Sequence, residues 1–420
     1  MADTGDTLAT RLRRTPRWAL RAGLATFAAQ VGLAATITAV DKIRKQRTAE
    51  VHAVPRGDPR EADVGGTAVT TYTYGEHLFE AMLDAIEGAQ EYLYLATFIW
   101  KGDAVGQRFK DAIIAAAERG VTVCVVYDGF ANLVVPREFK RFPDSVHVMR
   151  FPVVRGGIPI VDVRRQGRDH RKILVVDGKV GFVGGYNIGA LYATQWRDTH
   201  VRLSGEGVWE LQNSFVDFWN RHRTQRLPVL PDTGSPTWGW QVIAARNEPS
   251  RLLFPVRRIY LDAIDRASKR IWITQAYFIP DVEILDALLT AAARGVDVRV
   301  IMPEASNHVV ADWVARSYFT RLLAGGVRIF LYENVMVHAK TATVDGEWGT
   351  VGTANIDRLS LFGNYEVNLE IRGREHARQL EEIFAADLAN CRELTLAEWE
   401  ERGLLVRATE RFLAPLKPLL

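Results

Sequence analysis

Only two cysteines occur in 420 residues, Cys124 and Cys391, far apart in the chain. That excludes a disulfide framework and a cysteine zinc site. Cys124 lies in the aliphatic run VTVCVV and reads as core. No H-E-x-x-H or paired His/Cys spacing occurs, so neither a metal nor another cofactor is expected. Charge of one sign is scarce too. Lys and Arg number 53 against 50 Asp and Glu, a net charge of +3, without the dense basic stripe of a dedicated nucleic-acid binder. Long hydrophobic runs are nearly missing. The one candidate is residues 22–40, uncharged, with five arginines before it and four basic residues after it. Its length suits one membrane crossing of roughly 20 residues, although Gln30 and three threonines dilute it. A membrane anchor is the expectation; a cleaved signal peptide and a helix lying in the membrane surface are the alternatives. Positive charge on both flanks leaves its orientation open.

What the chain does contain is a long internal repeat. HRKILVVDGKVGFVGGYN (170–187) and HAKTATVDGEWGTVGTAN (338–355) share H-x-K-x4-D-x6-G-x2-N, and nine of their eighteen positions are identical. About one match would arise by chance. His170, Lys172, Asp177, Gly184 and Asn187 have partners at one constant offset: His338, Lys340, Asp345, Gly352 and Asn355. The same register runs on to Asp198 and Glu366, and the likeness reaches upstream, where AIIAAAERGVTVCVVYD resembles ALLTAAARGVDVRVIMP. A period this long is not a solenoid repeat of about 20–50 residues. It marks two copies of one domain.

Alternating helical and strand patterns in each copy predict an α/β fold with central sheets covered by helices. Strands are expected at 91–100, 121–128, 270–278 and 296–302, and helices near 76–89, 104–120, 207–223, 255–268, 281–294, 308–323 and 374–391. The domain reading is a basic N-terminal segment 1–47 holding the candidate membrane helix 22–40, a linker 48–70, a first domain 71–225, a connection 226–250 and a second domain 251–420.

Residues two apart on a strand face the same way, so His170 projects with Lys172, and His338 with Lys340. Asp177-Gly178 and Asp345-Gly346 are two-residue hairpin signals, which makes both aspartates structural rather than chemical on this reading. Brought together about a two-fold axis, two His, two Lys and two Asn would clamp one phosphodiester. Preorganised donors would face its developing charge, one imidazole would attack phosphorus, and the other would handle the proton. Asp198 and Glu366, set equally far beyond the histidine of their own copy, could accept an Nδ1 proton and fix the tautomer. Arg197 is open between a phosphate contact and a surface ion pair. Trp100, Trp196 and Tyr277 are open between lining a cleft and filling the core.

The doubled H-x-K-x4-D signature resembles that of the phospholipase D superfamily over about residues 70–395. WRDTHVRLSGEGVWELQNSFVDFW and GTANIDRLSLFGNYEVNLEI are similar to its bacterial cardiolipin synthase branch. The resemblance implies two similar domains, each a mixed sheet flanked by helices, with one active site at the pseudo-two-fold interface. It implies phosphatidyl transfer between two phosphatidylglycerols through a phosphohistidine, releasing glycerol, with hydrolysis of phospholipid head groups as the alternative and nucleic-acid cleavage a weaker one. His170 would be the nucleophile and His338 the acid/base; the reverse assignment fits equally. The catalytic signature formally includes Lys172, Asp177, Lys340 and Asp345. Asn187, Asn355 and Thr353 would hold the phosphate, and Asp198 and Glu366 would orient the histidines. The family often has Ser after the motif glycine; this chain has Gly185 and Thr353 there. The implied partners are phospholipid and a bacterial inner membrane reached through the N-terminal segment, without nucleic acid, metal or an obligatory protein partner.

Overall fold

The computed structural model describes residues 25, 28–30, 32–33, 35–41, 43, 54–153, 167–235 and 237–415. The first half builds an eight-stranded mixed sheet. Its strands are β1 (Arg60–Val64), β2 (Thr67–Tyr72), β3 (Tyr92–Thr97), β4 (Thr122–Asp128), β5 (Val146–Phe151), β6 (Ile173–Val176) and β7 (Val180–Gly184), then, after the short β8 (Trp196–Arg197), β9 (His200–Gly205). Their order is β1-β2-β9-β7-β6-β3-β4-β5.

The second half repeats this with β10 (Val242–Asn247), β11 (Arg270–Gln275), β12 (Asp297–Pro303), β13 (Arg328–Tyr332), the short β14 (Met336–Val337), β15 (Lys340–Val344), β16 (Trp348–Gly352), β17 (Glu366–Arg372) and β18 (Cys391–Leu394). The order is β10-β17-β16-β15-β11-β12-β13-β18. Seven strands therefore share one order, β2-β9-β7-β6-β3-β4-β5 against β10-β17-β16-β15-β11-β12-β13. Each sheet carries one extra strand, β1 or β18, on opposite edges.

The duplicated helices form for the same local reasons. Asp103 caps Ala104–Glu118 by accepting from Gly106 N, and Asp281 caps Val282–Ala293 by accepting from Ile284 N. Both segments then turn at a left-handed glycine, Gly120 (φ +92°) and Gly295 (φ +89°). The sheet of the first half packs one face on Gly75–Glu87 and Ala104–Glu118. Its other face joins a core shared by both halves, in which Val183, Val201 and Leu203 meet Val351, Val367 and Leu369. An apolar face on each side of the sheet explains the continuous ILVV run of β6.

Several sequence expectations need adjustment. The stretch 48–70 read as a linker contains β1 and starts β2, and the connection 226–250 contains β10. Strands β3 and β11 stop at Thr97 and Gln275, earlier than expected, because the chain leaves the sheet and forms single bridges from Trp100 to Ile188 and from Phe278 to Ile356. The Asp-Gly pairs do make the turns, with Asp177 and Asp345 at φ +52° and +56°. Each loop has three residues rather than two, since Val176 faces Val180 and Val344 faces Trp348.

The candidate membrane helix 22–40 falls partly outside the described residues. Those described between 25 and 43 are helical. Gln30 is buried and its Nε2 donates to Phe412 O at 2.8 Å, while Leu33 and Ile37 pack on the second half. Among the described residues no helix is long and apolar enough to cross a membrane.

Candidate active site

The two halves meet along two short backbone seams. Asp169 bridges Tyr365, and His170 N donates to Tyr365 O at 3.0 Å. The equivalent seam pairs β14 with β8, and His338 N donates to Arg197 O at 2.6 Å. Each histidine is thereby laid against the residue that precedes a carboxylate of the opposite half. The consequence is an exchange. His170 Nδ1 lies 2.9 Å from Glu366 Oε2, and His338 Nδ1 lies 2.6 Å from Asp198 Oδ2. The carboxylates do orient imidazoles, each across the interface rather than on the histidine of its own copy.

Ionised carboxylates only accept, so each imidazole carries its proton on Nδ1 and presents the Nε2 lone pair. Burial, opposed by Glu366, holds His170 below the ordinary histidine range. Burial, reinforced by Lys340 and opposed by Asp198, brings His338 down to about 3. Asp198 would be raised by burial, but His338 and Lys340 outweigh that and lower it. Both imidazoles are therefore neutral at neutral pH in the free protein.

The lysines stand beside the histidines as the two-residue spacing requires. Lys172 Nζ donates to His170 O at 2.7 Å, and Lys340 Nζ donates to His338 O. Both are buried. Burial, opposed by Glu366 and reinforced by Lys340, pulls Lys172 down to about 7. Burial, opposed by Asp198 and Glu366, pulls Lys340 to about 8. The charge of Lys340 acts on His170 and that of Lys172 on His338, so the four groups lie within electrostatic reach of one another.

The remaining motif residues divide. Asn187 and Asn355 are both buried; Asn187 Oδ1 accepts from Ile99 N, whereas Asn355 Oδ1 has no hydrogen-bond partner among the described residues. Thr353 Oγ1 donates to Glu366 Oε2 at 2.6 Å, so its hydroxyl steadies the carboxylate that holds His170. In the other copy an added Cβ on Gly185 would lie 2.1 Å from Asp198 Oδ1. The structure does not bring Asp177 and Asp345 to the histidines. They sit at the far turns of the hairpins, where Asp177 accepts from the N–H groups of Gln90, Glu91 and Tyr92, and Asp345 from those of Ser268, Lys269 and Arg270. Arg197 is neither at a phosphate position nor on the surface. It is buried in a bidentate pair with Asp387, at 2.9 and 2.7 Å.

Aromatic rings dress the two histidines differently. Phe98 meets the His170 ring edge-on at 4.6 Å, while Trp196 and Tyr277 lie 5.0 and 6.5 Å from His338. Asp357 is a site group that sequence reasoning missed. It is buried, caps Arg358–Phe362 through Ser360 N, and is pushed up to about 6 by burial within reach of the charges of Glu366 and Lys340. The signal was a break in the repeat: Gly189 stands at the equivalent place. A cavity of about 340 Å³ lies behind Tyr277, floored by Phe278, Met302, Phe319 and Trp399; none of the paired His and Lys residues lines it.

Comparison with known proteins places these features in a family. The family described as cardiolipin synthase, phospholipase D-like domain, matches residues 82–219 and again 260–388. A protein named major cardiolipin synthase ClsA, from Bacillus subtilis (strain 168), is 34% identical over 84% of this chain and 75% of its own length. Cardiolipin synthase 2 of Bacillus anthracis is 34% identical over 83% of this chain and 71% of its own. Among solved structures, phosphatidylserine synthase of Haemophilus influenzae Rd KW20 superposes with a TM-score of 0.65 at 15% identity, covering 84% of this chain and 95% of that one, a likeness of fold.

Proposed function

This chain belongs to the cardiolipin synthase family with phospholipase D-like domains, and from that premise we propose that it is a phosphatidyltransferase joining two phosphatidylglycerols into cardiolipin and glycerol. The observation that carries the reading is the crossed pair of bonds, His170 to Glu366 and His338 to Asp198, around two buried lysines. His170 Nε2 attacks phosphorus of the donor lipid. The bond from phosphorus to the glycerol oxygen breaks, and His338 protonates that oxygen. The arriving phosphodiester brings a negative charge that favours imidazolium on His338, which Asp198 then stabilises. The neutral His338 next takes the proton from the hydroxyl of a second phosphatidylglycerol as that oxygen displaces His170 from phosphorus. Lys172 and Lys340 carry the phosphate charge, and the Asn187 and Asn355 amides hydrogen-bond its oxygens. The body works at a bacterial inner membrane, where both lipids reside.

Labelled phosphatidylglycerol incubated with pure protein and a chelator yields cardiolipin and glycerol on this reading. Phosphatidic acid as the sole product would replace transfer with hydrolysis. Lipid mass spectrometry of the wild type against His338→Ala makes the comparison.

A further inference from the structure

The loop that follows β4 carries large apolar side chains into solvent beside the histidine pair. Phe130, Leu133 and Val134 are 56%, 54% and 84% exposed. They are not loose. Asp128 Oδ1 accepts from Phe130 N and Ala131 N. Asn132, buried between them, donates to Phe98 O and Asp128 O and accepts from Trp100 N, and Lys140 Nζ closes on Asn132 O at 2.9 Å. Phe98 is the ring on the edge of His170. The loop is thus fastened to the backbone that lines the site, with its apolar side chains held outward.

The patch continues across the seam between the halves. The Arg168 guanidinium lies over the Phe130 ring at 5.7 Å, and Arg168 N donates to Asn364 Oδ1 of the second half. Gly167, next to it, abuts Gly363 and Pro249, which lead to Leu252 and Leu253, again about half exposed. Exposed arginines stand in both parts: Arg137 and Arg141 on one, with Glu138 and Asp144 as acidic neighbours, and Arg251 on the other, paired with Glu248 Oε2 at 3.6 Å. The equivalent segment of the second half, residues 304–310, reads EASNHVV: Ala305 and His308 stand where the first half has Phe130 and Leu133, and Val309 and Val310, which match Val134 and Val135, are half-buried at the start of the helix Val309–Ala324. The duplicated loops have diverged, and only the first exposes Phe and Leu.

Contiguous exposed apolar groups mark an interaction surface, and a basic margin selects an anionic partner, as with acidic lipid head groups. We propose that loop 129–135 together with Leu252 and Leu253 enters the interfacial layer of an anionic phospholipid bilayer and holds the mouth of the histidine pair at head-group depth. This deepens the reading that the substrate is a bilayer lipid and rests on it.

The test uses the full chain with Cys391→Ser, since Cys124 is fully buried. Val134→Cys in that background carries an environment-sensitive dye; Lys179→Cys, on the exposed far turn of the β6–β7 hairpin, is the control. Vesicles of equimolar phosphatidylglycerol and phosphatidylcholine should shift the emission at 134 to the blue and leave 179 unchanged, with a weaker response to phosphatidylcholine alone. No shift at 134, as a protein partner or another segment of this chain seated there would give, overturns the proposal; so does an equal shift at 179. A triple change, Phe130→Ser with Leu133→Ser and Val134→Ser, should lower turnover on vesicles about tenfold or more and leave turnover of short-chain, monomeric phosphatidylglycerol unchanged. Equal loss on both substrates, or no loss on vesicles, also overturns it. A dye response without any transfer leaves docking standing and removes the functional reading instead.

Discussion

Glu366 holds His170 from the other half of the molecule, 2.9 Å from carboxylate oxygen to imidazole nitrogen, and the two residues are 196 positions apart in the chain. Its mirror image is Asp198 on His338 at 2.6 Å. The exchange makes the phenotypes of carboxylate substitutions cross over. Glu366→Gln should behave like His170→Ala, and Asp198→Asn like His338→Ala, each losing about 10²–10⁴ in kcat. Single-turnover labelling with a donor whose leaving group needs no proton separates them: Glu366→Gln should retain no labelled lipid on the protein, whereas Asp198→Asn should retain it and release it slowly. Label lost in Asp198→Asn alone would reverse the assignment of nucleophile and acid/base.

Gly185 has no room for a side chain. A Cβ there would meet the Asp198 carboxyl group, which is fully buried and also bonded to Thr199 N. Gly185→Ala should displace Asp198 from His338 and lower kcat about tenfold or more, with a smaller effect on KM. Thr353→Ala removes the bond to Glu366 and the acceptor for Val367 N but introduces no clash, and should cost less. Steady-state kinetics of the two variants checks the order.

The lysines set a pH dependence with two opposite signs. On the proposed mechanism their charge holds the phosphate. In the free protein it is lost as pH rises through about 7 for Lys172 and about 8 for Lys340. The profile of kcat/KM should fall on the alkaline side across that window. Both values lie below the 10.5 of an ordinary lysine, so the unfolded chain binds more protons between them, and stability should rise with pH from about 7 to 10.5. A pH–rate profile and denaturant midpoints over the same range test both directions. Parallel trends would contradict the lowered lysines.

Asp177 and Asp345 should separate stability from chemistry. Either one changed to alanine frees three backbone N–H groups at a turn and should cost about 2 kcal/mol of stability, while the folded fraction keeps its kcat. Denaturant unfolding and activity per folded molecule measure the two. A loss of kcat without a loss of stability would return these residues to the reaction.

Arg197 and Asp387 form a buried ion pair between the halves. Arg197→Met should cost about 3–5 kcal/mol by leaving a buried carboxylate unpaired, and adding Asp387→Leu should recover much of it. Thermal melts of the single and double variants show whether the coupling exists.

The repeat made the architecture and the paired His-Lys motifs readable, because identical spacing in two places overrides the usual reading of a lone strand histidine. The partner of each carboxylate was not readable. Asp198 and Glu366 stand at the same offset from the histidine of their own copy, and an internal pairing and an exchanged one leave the same sequence pattern. Only the backbone seams, His170 on Tyr365 and His338 on Arg197, decide it. The edge strands β1 (READV) and β18 (CREL) escaped because they are short, polar and half solvated; the alternation of Ala62 and Val64 in β1 spans too few residues to announce a strand. Arg197 was open between phosphate and surface because its partner, Asp387, lies 190 residues downstream on a helix. Asp357, a site residue without a duplicate, had no second copy to give it away.

The crossed seams have a bearing on biosynthesis. A ribosome that has emitted the first lobe has released a polypeptide whose reactive imidazole still lacks its steadying acid, which is translated almost two hundred codons later. A fragment ending before the second lobe lacks both the carboxylate that holds His170 and the second imidazole, so the crossed arrangement ties completion of the site to synthesis of both lobes.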